Sequence, residues 1–576
     1  MAGTWKGLTH QPTFNASTML LLTDGTIMCQ DSGGVNWYRL TPDSNGDYAD
    51  GTWSPVAPMI NSRLYYASAV LRDGRVIVCG GEYSNGGGDT NKCEIYNPVT
   101  DTWTAVAAPT GWTNVGDAAC CVLPDGRFLM GYFNGTKTAI FDPTTNTWNA
   151  GPDKGDSSSE ETWTLLADET VLTAQCVNHP NSEKYVMAAN SWVSAGTIPV
   201  DLVEASSIEI GPACLLPDGR AFYVGATGKT AIYTPPPVAN AAGSWTAGPD
   251  IPKVAGQTIG AKDAPACLLT NGKVLFSGGP VDGVSGDYLA PTYFYEFDGA
   301  SIYRVLDPAN SATVPYAGRM MLTPSGQVLF ASGSQAIYCY TPDGYPDDAW
   351  RPAITSVPTF VRHGHSFTLH GRQINGLSQA VSYGDDVSSA TNYPIVRLRN
   401  AYSGKVYFCR TFDHSTMGVN TGTTIHSTNF YIPFAVPLGS YEITVIANGI
   451  SSYCRYLHIW DIIWKHPYIK VFEQYEIWNQ LIGSLADGPL WVLGPNGPIP
   501  VDPWGPKYAN EAENARKMAL IGLHELQKIG AKINEERFEQ SKLIAPSVDE
   551  SASITKSNGK KKSSKLSGKN NLKQEA

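Results

Sequence analysis

No apolar run of 18 residues occurs in the chain, so no segment reads as a membrane-spanning helix. The first 30 residues lack a basic start followed by an apolar core, so no secretory signal is expected and a cytoplasmic location is the expectation. No Ser-His-Asp arrangement and no zinc-ligand spacing is present, which removes the plainest hydrolase and zinc-enzyme readings. The cysteines number eleven, an odd count. Cys121, Cys214 and Cys267 each stand four residues before a turn, at one equivalent position, as small buried strand residues do and a disulfide framework does not. Basic charge is scarce outside the end of the chain. The net charge is −11, and the last 26 residues hold seven Lys and one Glu, so the body ahead of them carries about −17. A body of that sign excludes nucleic acid as the expected partner.

Turn residues, by contrast, are plentiful, with 57 Gly and 39 Pro in 576 residues. They recur in a pattern. "LLLTDGTIM" turns at Asp24-Gly25, "AVLRDGRVIV" at Asp73-Gly74 and "CVLPDGRFLM" at Asp125-Gly126. "TLLADETVLT" turns at Asp168-Glu169, "CLLPDGRAFY" at Asp218-Gly219, "CLLTNGKVLF" at Asn271-Gly272 and "MLTPSGQVLF" at Ser325-Gly326. Each is a tight turn between two apolar runs, the signature of a β-hairpin. From Asp24 to Ser325 the spacing averages about 50 residues, the period of kelch-type propeller blades. A second marker follows in several units: "IYNPVTDTW", "IFDPTTNTW", and Tyr233 with Trp245. An aromatic, a turn, then Thr-Trp or Ser-Trp describes the third and fourth strands of a blade. "GGE" at 80–82 and "SGGP" at 277–280 add a double glycine. The expected fold is all-β, a seven-bladed kelch β-propeller over residues 1–350. Residues 3–8 ("GTWKGL") look like an outer Thr-Trp strand without its blade, and should complete the seventh, with Trp5 largely buried.

After Trp350 the period stops. Residues 351–457 alternate short strands with Gly and Asn turns and read as an immunoglobulin-like β-sandwich. Residues 458–545 form an aromatic-rich and helical extension, with Met518, Ile521, Leu526, Ile529 and Ile533 at helical spacing. That helix is expected to pack on the body, with self-association or docking as the other reading. Residues 546–576 are a disordered basic tail by composition. "HGH" at 363–365 opens a strand, where alternation sends both imidazoles to one face, and no third metal ligand stands nearby.

Seven kelch-like turns followed by "GLSQAVSYGDD…TNYPIVRL…HSTMGV…VIANGISS" resemble the galactose oxidase and glyoxal oxidase family, over residues 1 to about 457. The likeness is closest to bacterial kelch-repeat proteins of this domain order that have no assigned reaction. The resemblance implies a copper ion held by two Tyr and two His, with one Tyr crosslinked to a Cys. Carried over residue by residue, it falls on Tyr96, on Tyr316 with Ala317 where the first His should stand, and on His414 in "TFDHSTMGV". The segment expected to supply the crosslinking Cys, "SRLYYASAVL", has none. With that His and Cys missing, copper-radical oxidation of alcohols or aldehydes is the alternative reading, not the expected one.

The missing His stands eight residues before its turn. Across the blades that position holds Ala16, Tyr65, Asp117, Glu160, Ile210, Asp263 and Ala317, with Glu161 and Glu209 one residue to either side. The resemblance implies that this position faces the mouth of the propeller axis. Asp117, Glu160 or Glu161, Glu209 and Asp263 are therefore the candidate ligand-binding residues, with Tyr316 beside them and His414 approaching from the C-terminal domain. The expected ligand is a saccharide, a cation such as Ca²⁺ or a protein, with Tyr65, Tyr66 or Trp163 available for stacking. Carboxylates bonded separately to backbone N–H groups of neighbouring blades are the plain structural alternative.

Overall fold

A computed structural model describes residues 3–282, 286–383 and 389–459, and the backbone of a hairpin formed by Trp491–Gly494 and Gly497–Pro500. The expected C-terminal helix and basic tail lie outside the described residues. Among the described residues the structure is all-β, with only short 3₁₀ turns besides the strands. No helix among them is long and apolar enough to cross a membrane.

The repeated sequence units become seven antiparallel sheets, six of four strands and one enlarged by extra strands. The second sheet shows the plan: Ala67–Val70, Val76–Cys79, Cys93–Asn97 and Thr102–Val106 pair in chain order. Its first two strands are buried throughout, whereas the fourth is mostly exposed. The first strand of each sheet lies beside the first strand of the next, and Arg319–Leu322 of the seventh lies beside Ala16–Leu21 of the first. The ring therefore closes, as in a β-propeller.

The local chemistry explains why each unit folds alike. Asp24, Asp73, Asp125 and Asp218 each accept a hydrogen bond from the backbone N–H two residues on, at 3.0 Å, and Asn271 does so at 3.1 Å. The glycine at each of these turns takes φ near +78° to +90°. Where the fourth unit has Glu169 in place of glycine, that residue adopts φ +65°. The aromatic markers pair within their sheets: Tyr96 with Trp103 at 5.2 Å between ring centroids, Phe141 with Trp148 at 5.2 Å, Tyr233 with Trp245 at 5.0 Å.

The seventh sheet borrows its outer strand. Thr4–Gly7 pairs antiparallel with Tyr338–Thr341, and Trp5 meets Tyr340 at 4.8 Å, repeating the aromatic pair of the other sheets. Trp5 packs against the core as expected, with part of its ring left to solvent on the outer side of the strand. Its ring nonetheless contacts Phe294 and Phe330, and its indole N–H donates to the Leu306 carbonyl at 2.7 Å. Trp5→Ala should therefore cost about 2–3 kcal/mol in denaturant titration, below the range of about 3–5 kcal/mol for fully buried aromatics. A loss under about 0.5 kcal/mol would mean that the strand does not hold the ring closed.

All eleven cysteines are free thiols, and all but Cys454 are buried. Between residues 351 and 459 the described chain builds two more antiparallel sheets. One joins Ala353–Ser356, Ser366–Arg372, Ile425–Tyr431 and Thr411–Phe412; the other is centred on Ile395–Asn400 and Gly439–Ala447. One excursion between their strands enters the ring. Val381–Ser382 pairs with Ala266–Cys267, the first strand of the sixth sheet. The Gln379 side-chain carbonyl accepts from the Leu165 N–H at 2.9 Å, and the Ser382 hydroxyl accepts from the Ala213 N–H at 3.1 Å. The excursion thus satisfies inner-strand backbone groups of the fourth, fifth and sixth sheets, which a bare channel would leave to water.

Candidate functional site

Three of the expected acids come together. Carboxylate oxygens of Glu160, Glu209 and Asp263 lie within 4.8 Å of one another; Glu209 and Asp263 are buried and Glu160 half-buried. They come from the entries to the fourth, fifth and sixth sheets. The backbone there is unusual: Glu160 has φ +58° and Asp263 φ +46°, while Ile208, just before Glu209, has φ +66°. Left-handed backbone costs a non-glycine residue free energy and re-aims its side chain. Tyr65, at the same place in the second sheet, has φ +45°, and Gly116, just before Asp117, has φ +62°.

A row of tyrosines leads away from the acids, beginning at Tyr288. The Tyr288 hydroxyl donates to Glu209 and, at 2.8 Å, to Asp263. Burial and those two carboxylates hold its phenol well above the ordinary tyrosine range, so it stays a donor. The Tyr288 ring meets Tyr316 edge-on at 4.8 Å, and Tyr65 lies 6.4 Å from both Tyr316 and Tyr83. Asp117 stands outside the trio, and together with Glu82 and Tyr316 it raises the Tyr83 phenol, Glu82 acting most strongly. Cations close the arrangement from behind. Lys262 places its ammonium 4.2 Å from the centre of the Tyr288 ring and 3.6 Å from Glu204. The Arg319 guanidinium lies 3.8 Å from the centre of the Tyr383 ring and donates to the Tyr316 carbonyl at 2.6 Å, which also accepts from the Tyr383 hydroxyl at 2.5 Å. Tyr383 belongs to the excursion from the C-terminal sheets, so two parts of the sequence build one mouth.

Other sequence candidates lie elsewhere. Glu161 is not at the mouth: it is fully buried and accepts from Lys154, at 2.8 Å, and from the Trp163 indole, at 3.0 Å. Glu160 has a left-handed backbone, and that turn sends its carboxylate to the mouth while Glu161 is carried into the interior. Tyr66 is buried and donates to Gln30, and Trp163 is buried beside Glu161, which leaves Tyr65 as the sequence-predicted ring at the mouth. His414 does not approach the mouth. Its backbone N–H donates to the carbonyl of Arg72, one residue before the turn aspartate, at the opposite end of the inner strands. Its Nδ1 lies 2.9 Å from the Thr428 hydroxyl. Tyr96 sits on the third strand of the second sheet, where its hydroxyl donates to Asp101 at 2.8 Å and accepts from Arg39 at 3.1 Å. Tyr96, Tyr316 and His414 thus occupy three separate places, and these residues do not fit the copper-radical group. His363 and His365 likewise bond to carbonyls, of Val436 and His363, instead of forming a metal pair.

Tyr288, Lys262, Arg319 and Tyr383 carry no signal in the repeat. Tyr288 lies in a lengthened connection of the sixth unit, and Tyr383 lies outside the repeats altogether.

Residues 63–110, the second sheet and the approach to it, match the Kelch motif. Similar proteins include Kelch-like protein 30 of Homo sapiens, 25% identical over 199 residues, covering 26% of this chain and 34% of that protein. Kelch-like protein terF of Aspergillus terreus is 33% identical over 87 residues, covering 14% of this chain and 18% of that protein. F-box protein AFR of Arabidopsis thaliana is 37% identical over 54 residues, covering 9% and 14%. The chain thus spans about a third or less of the length of these relatives. Among solved structures, a fungal alcohol oxidase in complex with copper superposes with a TM-score of 0.47 at 16% identity, covering 80% of this chain and 100% of that one. Virginiamycin B lyase from Staphylococcus aureus superposes with a TM-score of 0.41 at 13% identity, covering 59% and 99%. The second sheet is a kelch motif, and the chain shares kelch sequence with these relatives over part of its length.

Proposed function

We propose that this chain is a non-redox binding protein built on a seven-bladed kelch propeller (residues 1–350) and a galactose-oxidase-like, immunoglobulin-like sandwich (351–457), working in the cytoplasm. Its ligand site is the mouth around Glu160, Glu209 and Asp263, and its ligand is a basic side chain presented by a protein partner. The observation that carries this reading is the convergence of those three carboxylates at the head of a row of tyrosines. Carboxylates supply charge-assisted acceptors, and Tyr65, Tyr83 and Tyr316 supply faces for an ammonium or guanidinium. Kelch repeats as a class often serve protein interactions, which favours a protein over a saccharide or a free cation. An oxidoreductase reading gains no support from the scattered Tyr96, Tyr316 and His414.

The test is calorimetry on the full chain with three probes: Lys- and Arg-containing peptides, Ca²⁺, and a panel of mono- and disaccharides. Basic peptides should bind, and Asp263→Asn should weaken them at least tenfold, as expected for a lost charge-assisted pair. Rising salt should weaken them as well. If only Ca²⁺ or a saccharide binds in a manner that depends on Asp263, or if peptide binding ignores the substitution, the proposal fails.

A further inference from the structure

We propose that Cys79 and Cys93 form an oxidisable cross-strand dithiol, a disulfide-forming site at the base of the loop that carries Tyr83 to the mouth. The two residues are direct partners in the antiparallel ladder between Val76–Cys79 and Cys93–Asn97. Beyond them, the Gly80 N–H donates to the Lys92 carbonyl at 3.0 Å, so Gly80 and Lys92 are the hydrogen-bonded pair. Antiparallel pairs alternate, which makes Cys79 and Cys93 the close, non-hydrogen-bonded kind, with Cα atoms about 4.5 Å apart and side chains on one face. Disulfides span Cα separations of about 4.4–6.8 Å, so the ladder already holds these residues near the short end of that range. After burial, Cys93 is the neighbour that most raises the Cys79 thiol, as its place directly across the ladder requires.

The surroundings fix the pair in place. Arg63 donates to the Gly80 carbonyl at 2.8 Å and to the Lys92 carbonyl at 2.6 Å, gripping the two residues that follow and precede the thiols. Gly80 and Gly81 take φ +70° and +101°, and added Cβ atoms would meet Val115 and the Leu64 carbonyl at 2.6 and 2.8 Å. The backbone there can turn sharply only with glycine. Residues 80–92 then run to the mouth and back, placing Tyr83 beside Tyr65.

The reaction balances as thiol–disulfide exchange with a small disulfide oxidant such as oxidised glutathione. A thiolate of the pair attacks one oxidant sulfur and releases one glutathione thiolate. The second thiol, losing its proton, attacks the mixed disulfide, forms the Cys79–Cys93 bond and releases the second glutathione. Two protons leave the protein and two electrons pass to the oxidant. Cys79 is 0% and Cys93 2% exposed, and burial holds the Cys79 thiol well above its usual range. Exchange therefore waits for the loop to open locally and speeds up as the pH rises.

The experiment uses the full chain carrying Cys454→Ser, which removes the exposed thiol that would otherwise take glutathione. Native protein is held with oxidised glutathione at pH 8, quenched in acid, unfolded, alkylated and mapped by mass spectrometry. The expected result is a loss of two hydrogens in the intact mass, a peptide linking Cys79 to Cys93, reversal by dithiothreitol, and no such species once Cys93→Ser is added. Cys120 also lies close enough to influence the Cys79 thiol and is the competing partner. Full alkylation of both Cys79 and Cys93 after oxidation, or a link from either to Cys120, overturns the proposal.

Discussion

Replacing Lys154 by Met should lower the unfolding free energy by about 3–5 kcal/mol at pH 8, the cost of leaving buried carboxylates without their cation. Lys154 lies among Glu161, at 2.8 Å, and Glu183, at 2.8 Å, with the Lys154 and Glu161 side chains wholly buried. The two carboxylates hold the ammonium charged against its burial. Glu183 also accepts from the Gly155 N–H at 2.7 Å and the Gln175 amide at 3.0 Å, so the network cannot simply rearrange to water. The readout is the urea midpoint by tryptophan fluorescence, because Trp163 donates to Glu161 and the Lys154 ammonium sits 5.0 Å from the centre of the Trp192 ring. Burial pushes the Glu161 carboxyl up to about 7. Without the lysine it should rise further, so the loss should shrink on going from pH 8 to pH 5 as Glu161 takes a proton. Lys229→Met is the control. Its partner Asp250 is 2.6 Å away, but both side chains are largely exposed, and the change should stay within about 1 kcal/mol. Equal effects at the two sites would show that the buried network contributes nothing particular.

Acid should act on stability through His414. Burial, with the Arg72 charge beside it, lowers the imidazole to about 3, and Nδ1 is tied to Thr428. The unfolded chain protonates this imidazole near its ordinary pKa of about 6.5, whereas the folded chain resists until about pH 3. The unfolded state therefore binds the extra proton across that window. Stability is full above pH 6.5 and is lost as the pH falls, by about 1.4 kcal/mol per pH unit and on the order of 5 kcal/mol over the whole window. Carboxylates contribute their own acid sensitivity, so the measurement is a difference. Wild type and His414→Asn, which can keep the bond to Thr428, are unfolded in urea at half-unit steps from pH 7.5 to 4.5. The gap between them should shift in favour of the variant by about 1.4 kcal/mol per unit below pH 6. Parallel curves would show that His414 takes a proton in the folded state as readily as in the unfolded one.

The seven hairpin turns and the paired aromatics were readable because each depends on chemistry within one repeat unit, and the borrowed outer strand because a sheet edge left open needs covering. An Asx turn needs its Asp and Gly, an aromatic pair needs its Tyr and Trp, and an unpaired strand edge needs a partner. The same repeat located the ring position of Glu160, Glu209 and Asp263. It could not say which of Glu160 and Glu161 faces the mouth, since a single left-handed φ at Glu160 sets that direction and no residue type announces it. Nor could it place His414, Tyr96, Tyr288 or Tyr383. Their partners are Thr428, Arg39, Glu209 and the Tyr316 carbonyl. The repeat carries no register for contacts between distant segments, so those pairings were decided only when the sheets closed into a ring and the C-terminal excursion paired with the sixth sheet. By itself the sequence determined the repeated unit and its closure, because both are local or edge-driven. The tertiary structure decided which side chains share the mouth, because burial and backbone direction there depend on neighbours that are far apart along the chain.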